Sequence, residues 1–548
     1  MSRSPLFADV IRSLHIARFS EEHRLATADA LALVRQAEMH RAARRRSRRD
    51  WLTAVGRAGA AGAVASVIAP VHRVFAGGQS GISVDVGIVG AGLAGLACAD
   101  ALADRGVAAT LYEASARTGG RCGSLRGFFP GQVAERGGEF IDNPHKTMLG
   151  YARRFDLAVE DVTKAPGDVT YYFGSRHIPE SAIVEEVRAF VSVMRLDLRR
   201  LSNEVTAFSH TAADEALDQT SLLAYLDGQN GANEPAGPIA KAAFAEAYIA
   251  EYGLEADRQS CLNFLMFIHA DRRSKFTPFG VFSDERYHVI DGNDRIVEGL
   301  TQALPRPVQH GMTLVAVRKT PSGAIEVTFD TGGGTVTRTH DVVVLAVPFS
   351  VLRDVDLHVN LSLPVVQRSA IELLGYGTNA KTMVGFDGRP WIAHGGDGTA
   401  YADLANLQVI WETNPARASA NRGVLTDYAS GDRGATLDPA LVQLQATQFL
   451  SDLDVVFPGS AAVASRRPNG SLVAHLEHWP SNPLTRGSYT CYLPGQFTTI
   501  AGLEGLPAGN LYFAGEHANS FYDWQGFMEG AALSGLEVAA AILRAAKR

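Results

Sequence analysis

The sequence predicts an α/β fold built around a Rossmann-like parallel sheet, and three observations support that prediction. A short apolar run, SVDVGIV at 83–89, leads into the glycine-rich turn GAGLAG at 90–95 and then into a helical stretch. A second strand-like run at 108–112 ends in an acidic residue, Glu113. Near the C-terminus, an apolar run at 511–514 enters Gly515-Glu516 and precedes a long Ala-rich helical stretch. Strand and helix signals that alternate in this way are typical of α/β proteins.

The composition is that of a globular protein with room for two or three domains. The chain has 548 residues, of which 46% are hydrophobic and 20% are charged, which excludes a disordered or collagen-like chain. Its four cysteines, at 98, 122, 261 and 491, are far apart and form no CxxC pair. We therefore expect neither a zinc module nor a dense disulfide framework.

The charge is divided between a basic leader and an acidic body. Residues 1–76 contain 13 Arg, no Lys and six acidic residues, so their net charge is +7. The rest of the chain has a net charge of −14. Because phosphate neutralisation requires a basic face, we expect no nucleic-acid partner.

The basic leader resembles a twin-arginine export signal. Arg48-Arg49 is followed by an apolar stretch at 58–69 and by a small-residue junction at Ala76-Gly77. It departs from the usual pattern in Trp51, in Arg57 and in the roughly 50 residues that precede the arginine pair. The leader predicts a periplasmic or secreted protein, and the alternative is a basic extension on a cytoplasmic protein.

Each part of the glycine-rich segment has a physical task in binding a dinucleotide. The first glycine permits the tight turn, the second lets the backbone approach a pyrophosphate, and the third lets helix and strand pack closely. The N-terminus of the helix then presents free N–H groups to the phosphates. The acidic residue after the second strand can accept both hydroxyls of an adenosine ribose. The residues in these roles are Gly90, Gly92, Leu93, Ala94, Gly95 and Glu113.

The continuation EASARTGGR at 113–121 adds a second glycine pair and a basic residue. This segment resembles the flavin-containing amine oxidases, of the monoamine oxidase, polyamine oxidase and L-amino-acid oxidase kind. The resemblance implies FAD rather than NAD. It also implies that the loop with Ala114, Gly120 and Arg121 follows the diphosphate and ribityl chain, with Arg121 as a cation of the flavin site.

The resemblance returns in LYFAGEH at 511–517 and WQGFMEGA at 524–531. It implies that Gly515-Glu516 binds a ribityl hydroxyl and that the helix beginning at Phe527-Met528 points its N–H groups at the pyrimidine edge of the flavin. A helix N-terminus stabilises the negative charge that this edge gains on reduction. The helix is also expected to pack the C-terminus. The resemblance further places the backbone near Val308 against the adenine.

Four residues match the family's catalytic site. Lys381 corresponds to a lysine that binds a water facing flavin N5, and the alternative is a lysine that faces solvent. Tyr489 and Phe527 correspond to an aromatic pair that guides the amine, and Trp479 to a tryptophan beside the flavin. For any single aromatic residue the alternative is core packing.

Two departures from the family pattern narrow the prediction. Ser488 stands where monoamine oxidases have the cysteine that is bonded to the flavin, so we expect non-covalent FAD. Phe140, in AERGGEF at 134–140, stands where many L-amino-acid oxidases have the arginine that binds the substrate carboxylate. This substitution favours amines over amino acids without excluding amino acids.

The matches predict a discontinuous Rossmann-like FAD-binding domain and an α+β substrate domain with a mixed sheet. Between the terminal motifs we expect strands at 307–317, 326–329 and 341–347, a hairpin turn at 332–334 and an amphipathic helix at 182–201. The predicted segments are a leader at 1–76, an FAD domain at 83–150, 286–349 and 476–548, and a substrate domain at 151–285 and 350–475.

The predicted function is FAD-dependent oxidation of an amine to an imine, which hydrolyses to a carbonyl compound and ammonia or a smaller amine, while O2 becomes H2O2. One alternative is an L-amino-acid oxidase, and another is an amine dehydrogenase that passes electrons to a periplasmic carrier. A third alternative, from a different functional class, is a flavin-bearing desaturase or a binding protein with inert FAD. The sequence contains no metal-ligand cluster and no Ser-His-Asp arrangement, and His517 is expected to be structural or to contact the site residues rather than the ligand. The expected partners are an amine substrate and O2 or an electron carrier; a homodimer is possible.

Overall fold

The computed structural model describes residues 84–202, 205–268, 285–415, 422–519 and 524–546, together with Ala17, Thr27, Ala28 and Leu31. The twin-arginine-like pair and the apolar stretch of the leader therefore lie outside the described residues. Within the described part, no helix is both long enough and apolar enough to cross a membrane.

Strands and helices are numbered here along the described part of the chain. The strands are β1 Val86–Val89, β2 Thr110–Tyr112, β3 Ser124–Arg126, β4 Val133–Glu135, β5 Val159–Asp161, β6 Asp168–Phe173, β7 Arg176–His177, β8 Tyr287–Val289, β9 Thr313–Lys319, β10 Ile325–Asp330, β11 Thr335–His340, β12 Val342–Leu345, β13 Asp356–Leu357, β14 Ala380–Phe386, β15 Gly396–Leu404, β16 Leu407–Glu412, β17 Gly423–Ala429, β18 Ala474–His478 and β19 Leu511–Phe513. The α-helices are α1 Leu93–Ala103, α2 Lys146–Arg154, α3 Glu180–Leu198, α4 Ala212–Asp218, α5 Leu222–Leu226, α6 Pro238–Tyr252, α7 Cys261–Ile268, α8 Asp294–Ala303, α9 Phe349–Leu352, α10 Val365–Leu373, α11 Pro390–Ala393, α12 Gly431–Thr436, α13 Val442–Val456, α14 Gln496–Thr499 and α15 Met528–Ala545.

A four-stranded parallel sheet in the order β19-β12-β1-β2 confirms the predicted α/β fold. All four residues of β1 are buried, as expected for a strand that is covered on both faces. Helices α1 and α15 pack closely against each other. A Cβ at Gly535 of α15 would lie 2.1 Å from the carbonyl oxygen of Ala94 in α1. Helices α1 and α15 thereby bring the two glycine-containing motifs together.

A seven-stranded mixed sheet has the order β18-β14-β17-β16-β15-β6-β7. Strand β14 is buried along its whole length and pairs antiparallel with β17 and β18, whereas β15 pairs parallel with β6. In this register Lys381 lies opposite Tyr428 on one side and opposite Glu477 on the other. Directly opposite residues share a face of an antiparallel pair, so these three side chains emerge on the same face.

The middle of the chain forms the antiparallel strands β9, β10 and β11. The β10–β11 hairpin turns at the predicted glycine triplet, because Asp330 pairs with Thr335. The predicted strand at 307–317 begins only at Thr313. Proline has no N–H to donate to a ladder, and Pro305 and Pro307 precede this strand. The predicted helix at 182–201 is observed as α3, shifted by two or three residues at its ends.

Candidate active site

The glycine-rich turn forms a cradle at the carboxyl end of β1. Gly90 has φ +103°, and a Cβ there would lie 2.4 Å from the carbonyl oxygen of Ala346. A Cβ at Gly95 would lie 2.0 Å from the carbonyl oxygen of Gly90, so this glycine permits the close packing of helix and turn. A Cβ at Gly92 would meet nothing within 4 Å. The first and third glycines are therefore required by the fold, and the second faces open space beside the first residues of α1, Leu93 and Ala94.

Glu113 is buried at the end of β2 and its carboxylate is held by the neighbouring loops. One oxygen accepts a hydrogen bond from the Ala91 N–H at 2.8 Å, and the other accepts from the N–H and the hydroxyl of Ser115 at 2.9 and 2.8 Å. The Gln309 carbonyl accepts from the Glu113 N–H at 2.8 Å, which places the adjacent Val308 beside the end of β2. The structure therefore brings together the predicted ribose and adenine contacts.

The second glycine pair lies directly against the first turn. The Gly119 N–H donates to the Ala91 carbonyl at 2.7 Å, and a Cβ at Gly120 would lie 3.5 Å from the Gly92 Cα. Ala114 and Arg121 begin and end the loop that makes this contact. The two glycine motifs therefore form one surface.

An ion pair joins the N-terminal and C-terminal motifs. Arg121 donates to a Glu516 oxygen at 2.9 Å and to the Ser488 carbonyl at 2.8 Å. The other Glu516 oxygen accepts from the Thr490 hydroxyl at 3.1 Å and from the Gly526 N–H at 2.9 Å. Burial disfavours the ionised form of Glu516, but the charge of Arg121 and these hydrogen bonds outweigh it and hold its pKa below the usual range.

His517 lies beside this ion pair, with its ring packed against Gly515 and Phe349. A Cβ at Gly515 would lie 2.3 Å from the His517 ring, and the ring centroids of His517 and Phe349 are 4.3 Å apart. Burial lowers the pKa of His517 to about 4, so the ring is neutral at neutral pH. Neither ring nitrogen has a hydrogen-bond partner among the described residues. Such buried nitrogens require an explanation, and a bound polar ligand would supply one.

These observations fit a dinucleotide cofactor. The open position at Gly92, the uncapped N-terminus of α1, and the unpartnered ring nitrogens of His517 lie at the carboxyl ends of parallel strands, where α/β folds bind such ligands. Met528 begins α15, and Phe527 is the residue before its first turn. No side chain caps this helix, so its N–H groups are available to a ligand.

The structure brings Trp479 and Tyr489 together, and it packs the Phe527 ring against those of His145 and Trp524, with centroid distances of 5.1 and 6.0 Å. Trp479 and Tyr489 form one buried cluster, and a Cβ at Gly526 would lie 3.4 Å from the Tyr489 ring. Phe527 follows this glycine directly and is also buried. The Tyr489 hydroxyl lies 3.0 Å from that of Tyr428 and also donates to the carbonyl of Glu251. Trp479 donates its indole N–H to the Arg136 carbonyl at 3.1 Å.

Lys381 is 1% exposed, which excludes the alternative in which it faces solvent. Its Nζ donates to the Glu139 carboxylate at 2.6 Å, to the Gly137 carbonyl at 2.8 Å and to the Glu135 carbonyl at 3.3 Å. An ammonium has three N–H bonds, and these three acceptors use all of them. The sequence predicted a water as the partner; the partners that the structure gives are a carboxylate and two carbonyls.

Three residues around Lys381 were missed by the sequence prediction. Glu139 is fully buried and accepts from the Trp411 indole N–H at 2.8 Å as well as from Lys381. Lys381 Nζ lies 5.4 Å from the Trp411 ring centroid and 5.9 Å from that of Tyr428. Glu139 directly precedes Phe140 in a segment that the sequence singled out, but no local spacing pairs it with a lysine 242 residues away.

The described residues contain four cysteines, all of them buried thiols, and no group of three or more His, Cys, Asp or Glu that could hold a metal ion. Ser488 is fully buried, and its hydroxyl donates to the Asn379 side chain.

Comparison with known proteins agrees with this site. The family described as flavin containing amine oxidoreductase matches residues 93–543. The L-amino-acid oxidase from Pseudechis australis is 23% identical over 448 residues, which cover 80% of this chain and 83% of that protein. The L-amino-acid oxidase from Bungarus fasciatus is also 23% identical, over 472 residues that cover 84% of this chain and 87% of that protein.

Two solved structures have the same fold. Cyclohexylamine oxidase from Brevibacterium oxydans IH-35A has a TM-score of 0.70 at 20% identity, covering 85% of this chain and all of its own. Putrescine oxidase bound to putrescine has a TM-score of 0.68 at 20% identity, and the match covers 84% of this chain and 99% of that protein.

The fold and the site therefore define a flavin-dependent oxidoreductase. The chain belongs to the flavin-containing amine oxidoreductase family, whose match covers most of its length. A flavin cofactor, an amine substrate and oxygen follow from membership of this family.

Proposed function

We propose that this chain oxidises amines with a non-covalently bound FAD and passes the electrons to O2. The observation that carries the proposal is the cradle at Gly92, which the Arg121–Glu516 ion pair joins to the aromatic cluster of Trp479 and Tyr489. The dinucleotide form of the flavin is supported by the Gly90–Gly95 turn and by Glu113, which would contact its pyrophosphate and ribose.

When bound, FAD supplies a two-electron acceptor for the substrate Cα–H and a donor to O2, with an imine and H2O2 as products. The residues of the chain would bind and orient the amine and the cofactor. Tyr489 and Phe527 would hold the amine between apolar faces, and Arg121 and Glu516 would hold the ribityl side of the cofactor. The first turn of α15 would stabilise negative charge on the flavin ring.

Plain amines are favoured over α-amino acids by the charges of the site. Binding a substrate carboxylate would require a cation that is not already paired. Among the residues that the structure describes, Lys381 is paired with Glu139 and Arg121 with Glu516. Phe140, where many L-amino-acid oxidases have an arginine, is buried with its ring centroid 5.8 Å from that of Trp411. The second candidate is an L-amino-acid oxidase, which the names of the curated relatives favour.

Product analysis tests the proposal. The holoenzyme is incubated in air with primary, secondary and tertiary amines, polyamines and L-amino acids, and O2 uptake, H2O2 and carbonyl products are measured. Amine-dependent peroxide formation is the expected result. Peroxide with L-amino acids alone would establish the second candidate, and amine turnover that requires an added electron carrier would establish a dehydrogenase.

Non-covalent attachment is supported by Ser488 at the position of the monoamine oxidase cysteine. Acid precipitation of the holoenzyme should leave all of the flavin in the supernatant with the mass of FAD. Flavin that remains with the precipitated protein would contradict non-covalent binding.

We also propose export by the twin-arginine route, on the strength of the leader at 41–77. Fractionation of cells should find the protein in the periplasm or the medium, and Arg48→Lys with Arg49→Lys should retain it in the cytoplasm. A wild-type protein found only in the cytoplasm would favour the basic extension. A homodimer is to be tested by the mass of the holoenzyme in solution.

A further inference from the structure

Glu139 is a buried carboxylate to which neither the sequence pattern nor the family resemblance gives a role. It is fully buried, and its two oxygens accept hydrogen bonds from Lys381 Nζ at 2.6 Å and from the Trp411 indole N–H at 2.8 Å. A buried carboxylate keeps its negative charge only when that charge is paired and hydrogen-bonded. The partner of this one is the lysine that is predicted to face the reactive part of the flavin.

The pair lies next to the place where the amine is expected to bind. Lys381 Nζ is 5.9 Å from the Tyr428 ring centroid, and the Tyr428 hydroxyl is 3.0 Å from that of Tyr489, one wall of the predicted aromatic pair. Tyr428 therefore lies between Lys381 and one wall of the expected amine site. Two like charges on either side of such a buried contact repel each other, because they are screened less than in water.

Amines are mostly ammonium ions at neutral pH, as the ordinary lysine pKa near 10.4 shows. An uncompensated lysine would therefore oppose the entry of the substrate. Glu139 removes this repulsion, since the ion pair has no net charge. The pair is also fixed in place, because three acceptors use all the N–H bonds of Lys381.

We propose that Glu139 is a specificity-determining residue, which cancels the charge of Lys381 and so allows a cationic amine to reach the aromatic pair. This inference rests on the proposed function, because it takes the aromatic pair as the amine site. It assigns Glu139 to substrate charge and leaves the oxidation step itself to the cofactor.

The test compares the binding of a cation and of a neutral molecule, which share a benzyl group, to the holoenzyme. The probes are benzyltrimethylammonium and benzyl alcohol, and their dissociation constants are measured by calorimetry and by the change in the flavin absorption spectrum. Glu139→Gln keeps the size of the side chain and removes its charge; its one oxygen can accept from either Lys381 or Trp411 but not from both. We expect this variant to raise the dissociation constant of the cation at least about tenfold and to change that of the neutral probe less than about twofold.

Two further variants separate charge from structure. Lys381→Met removes the positive charge, so it should bind the cation at least as tightly as the wild type. Glu139→Gln combined with Lys381→Met leaves the site without either charge and should restore cation binding to within about threefold of the wild type. These two variants keep the proposal testable if Glu139→Gln alone does not fold.

The matched control is Glu477→Gln. Glu477 lies opposite Lys381 in the β14–β18 register, but its carboxylate pairs with Arg136 at 2.6 Å, a side chain that is 31% exposed. This variant removes a carboxylate charge from the strand beside Lys381 and should leave the preference for the cation unchanged.

Equal weakening of both probes by Glu139→Gln, or loss of cation binding in Lys381→Met, would overturn the proposal and reduce Glu139 to a structural residue. The proposed function fails separately, through the absence of amine turnover in the wild type. For the turnover of a good amine by Glu139→Gln, we expect a rise in KM with a smaller change in kcat.

Discussion

The hydroxyl groups of Tyr428 and Tyr489 lie 3.0 Å apart, and Tyr489 donates to the carbonyl of Glu251 near the end of α6. Because the one proton of Tyr489 is used in that bond, Tyr428 is the donor between the two tyrosines. Tyr428 in turn lies opposite Lys381 in the sheet. The rigid strand β17 thereby fixes a ring that comes from a loop.

Tyr428→Phe removes this donor while keeping the ring. The net value of such a hydrogen bond is about 1 kcal/mol, so we expect kcat/KM for amines to fall about fivefold, with the flavin content unchanged. Tyr401→Phe in β15 serves as a control for the loss of a buried hydroxyl in the same sheet. An unaltered kcat/KM in Tyr428→Phe would show that Tyr489 is held by its other contacts.

Substitutions of the glycines in the first turn should distinguish an effect on folding from an effect on flavin binding. Gly92→Ala should fold with a normal melting temperature but purify with little flavin, because its Cβ meets no protein atom and occupies the cradle. Gly95→Ala should lower the melting temperature or abolish folding, since its Cβ would lie 2.0 Å from the Gly90 carbonyl. Gly333→Ala, in the exposed hairpin turn, is the control. Full flavin content in Gly92→Ala would show that the cofactor backbone lies elsewhere.

The Arg121–Glu516 pair should be required for flavin retention. Arg121→Met leaves Glu516 buried without its cation, which costs about 3 kcal/mol or more in comparable buried pairs. We expect most of the flavin to be lost in gel filtration, whereas Arg136→Met, which breaks a more exposed pair, should retain it. Retention of flavin in both variants would separate this ion pair from the cofactor site.

The same pair predicts sensitivity to acid. The pKa of Glu516 is lowered in the folded protein. The stabilisation that its ionised carboxylate gives to the folded site is therefore fully present above its ordinary pKa of 4.5, and it is lost as the pH falls below that value. Flavin release, followed by fluorescence, should increase below about pH 4.5 in the wild type. In Glu516→Gln, the bound fraction should be lower at neutral pH and should change less across this range.

His517 should make the folded protein less stable in mild acid. Its pKa is about 4 in the folded protein, against an ordinary value of 6.5, so the unfolded state binds more protons between these two values. The free energy of unfolding should therefore fall by about 3 kcal/mol as the pH is lowered from 7 to 4. Urea denaturation of the wild type and of His517→Asn measures this difference. Parallel curves would show that His517 does not titrate as described.

The sequence predicted those parts of the site that depend on local patterns. The turn at Gly90–Gly95, the acid at Glu113 and the helix after Met528 are each defined by residues close together in the chain, and each is found where it was expected. Strand limits were less accurate where proline intervenes, as before β9.

The partners of Lys381 could not be predicted in the same way. The sequence places this lysine on a strand and requires a partner for it, but does not identify Glu139, 242 residues away. The Tyr428–Tyr489 contact is likewise made between a strand and a loop that only the register of β14 and β17 brings together. Such contacts depend on the packing of the sheet, which no spacing in the sequence records.

Oxidation of amines at a flavin held by these residues is tested most directly by anaerobic bleaching of the bound flavin near ~450 nm, where the oxidised flavin ring absorbs. The holoenzyme is mixed without oxygen with amines or with L-amino acids, and air is then admitted. Bleaching by amines, with colour restored by air and H2O2 formed, is the predicted result. Bleaching by L-amino acids alone, or by neither class of compound, would contradict the account.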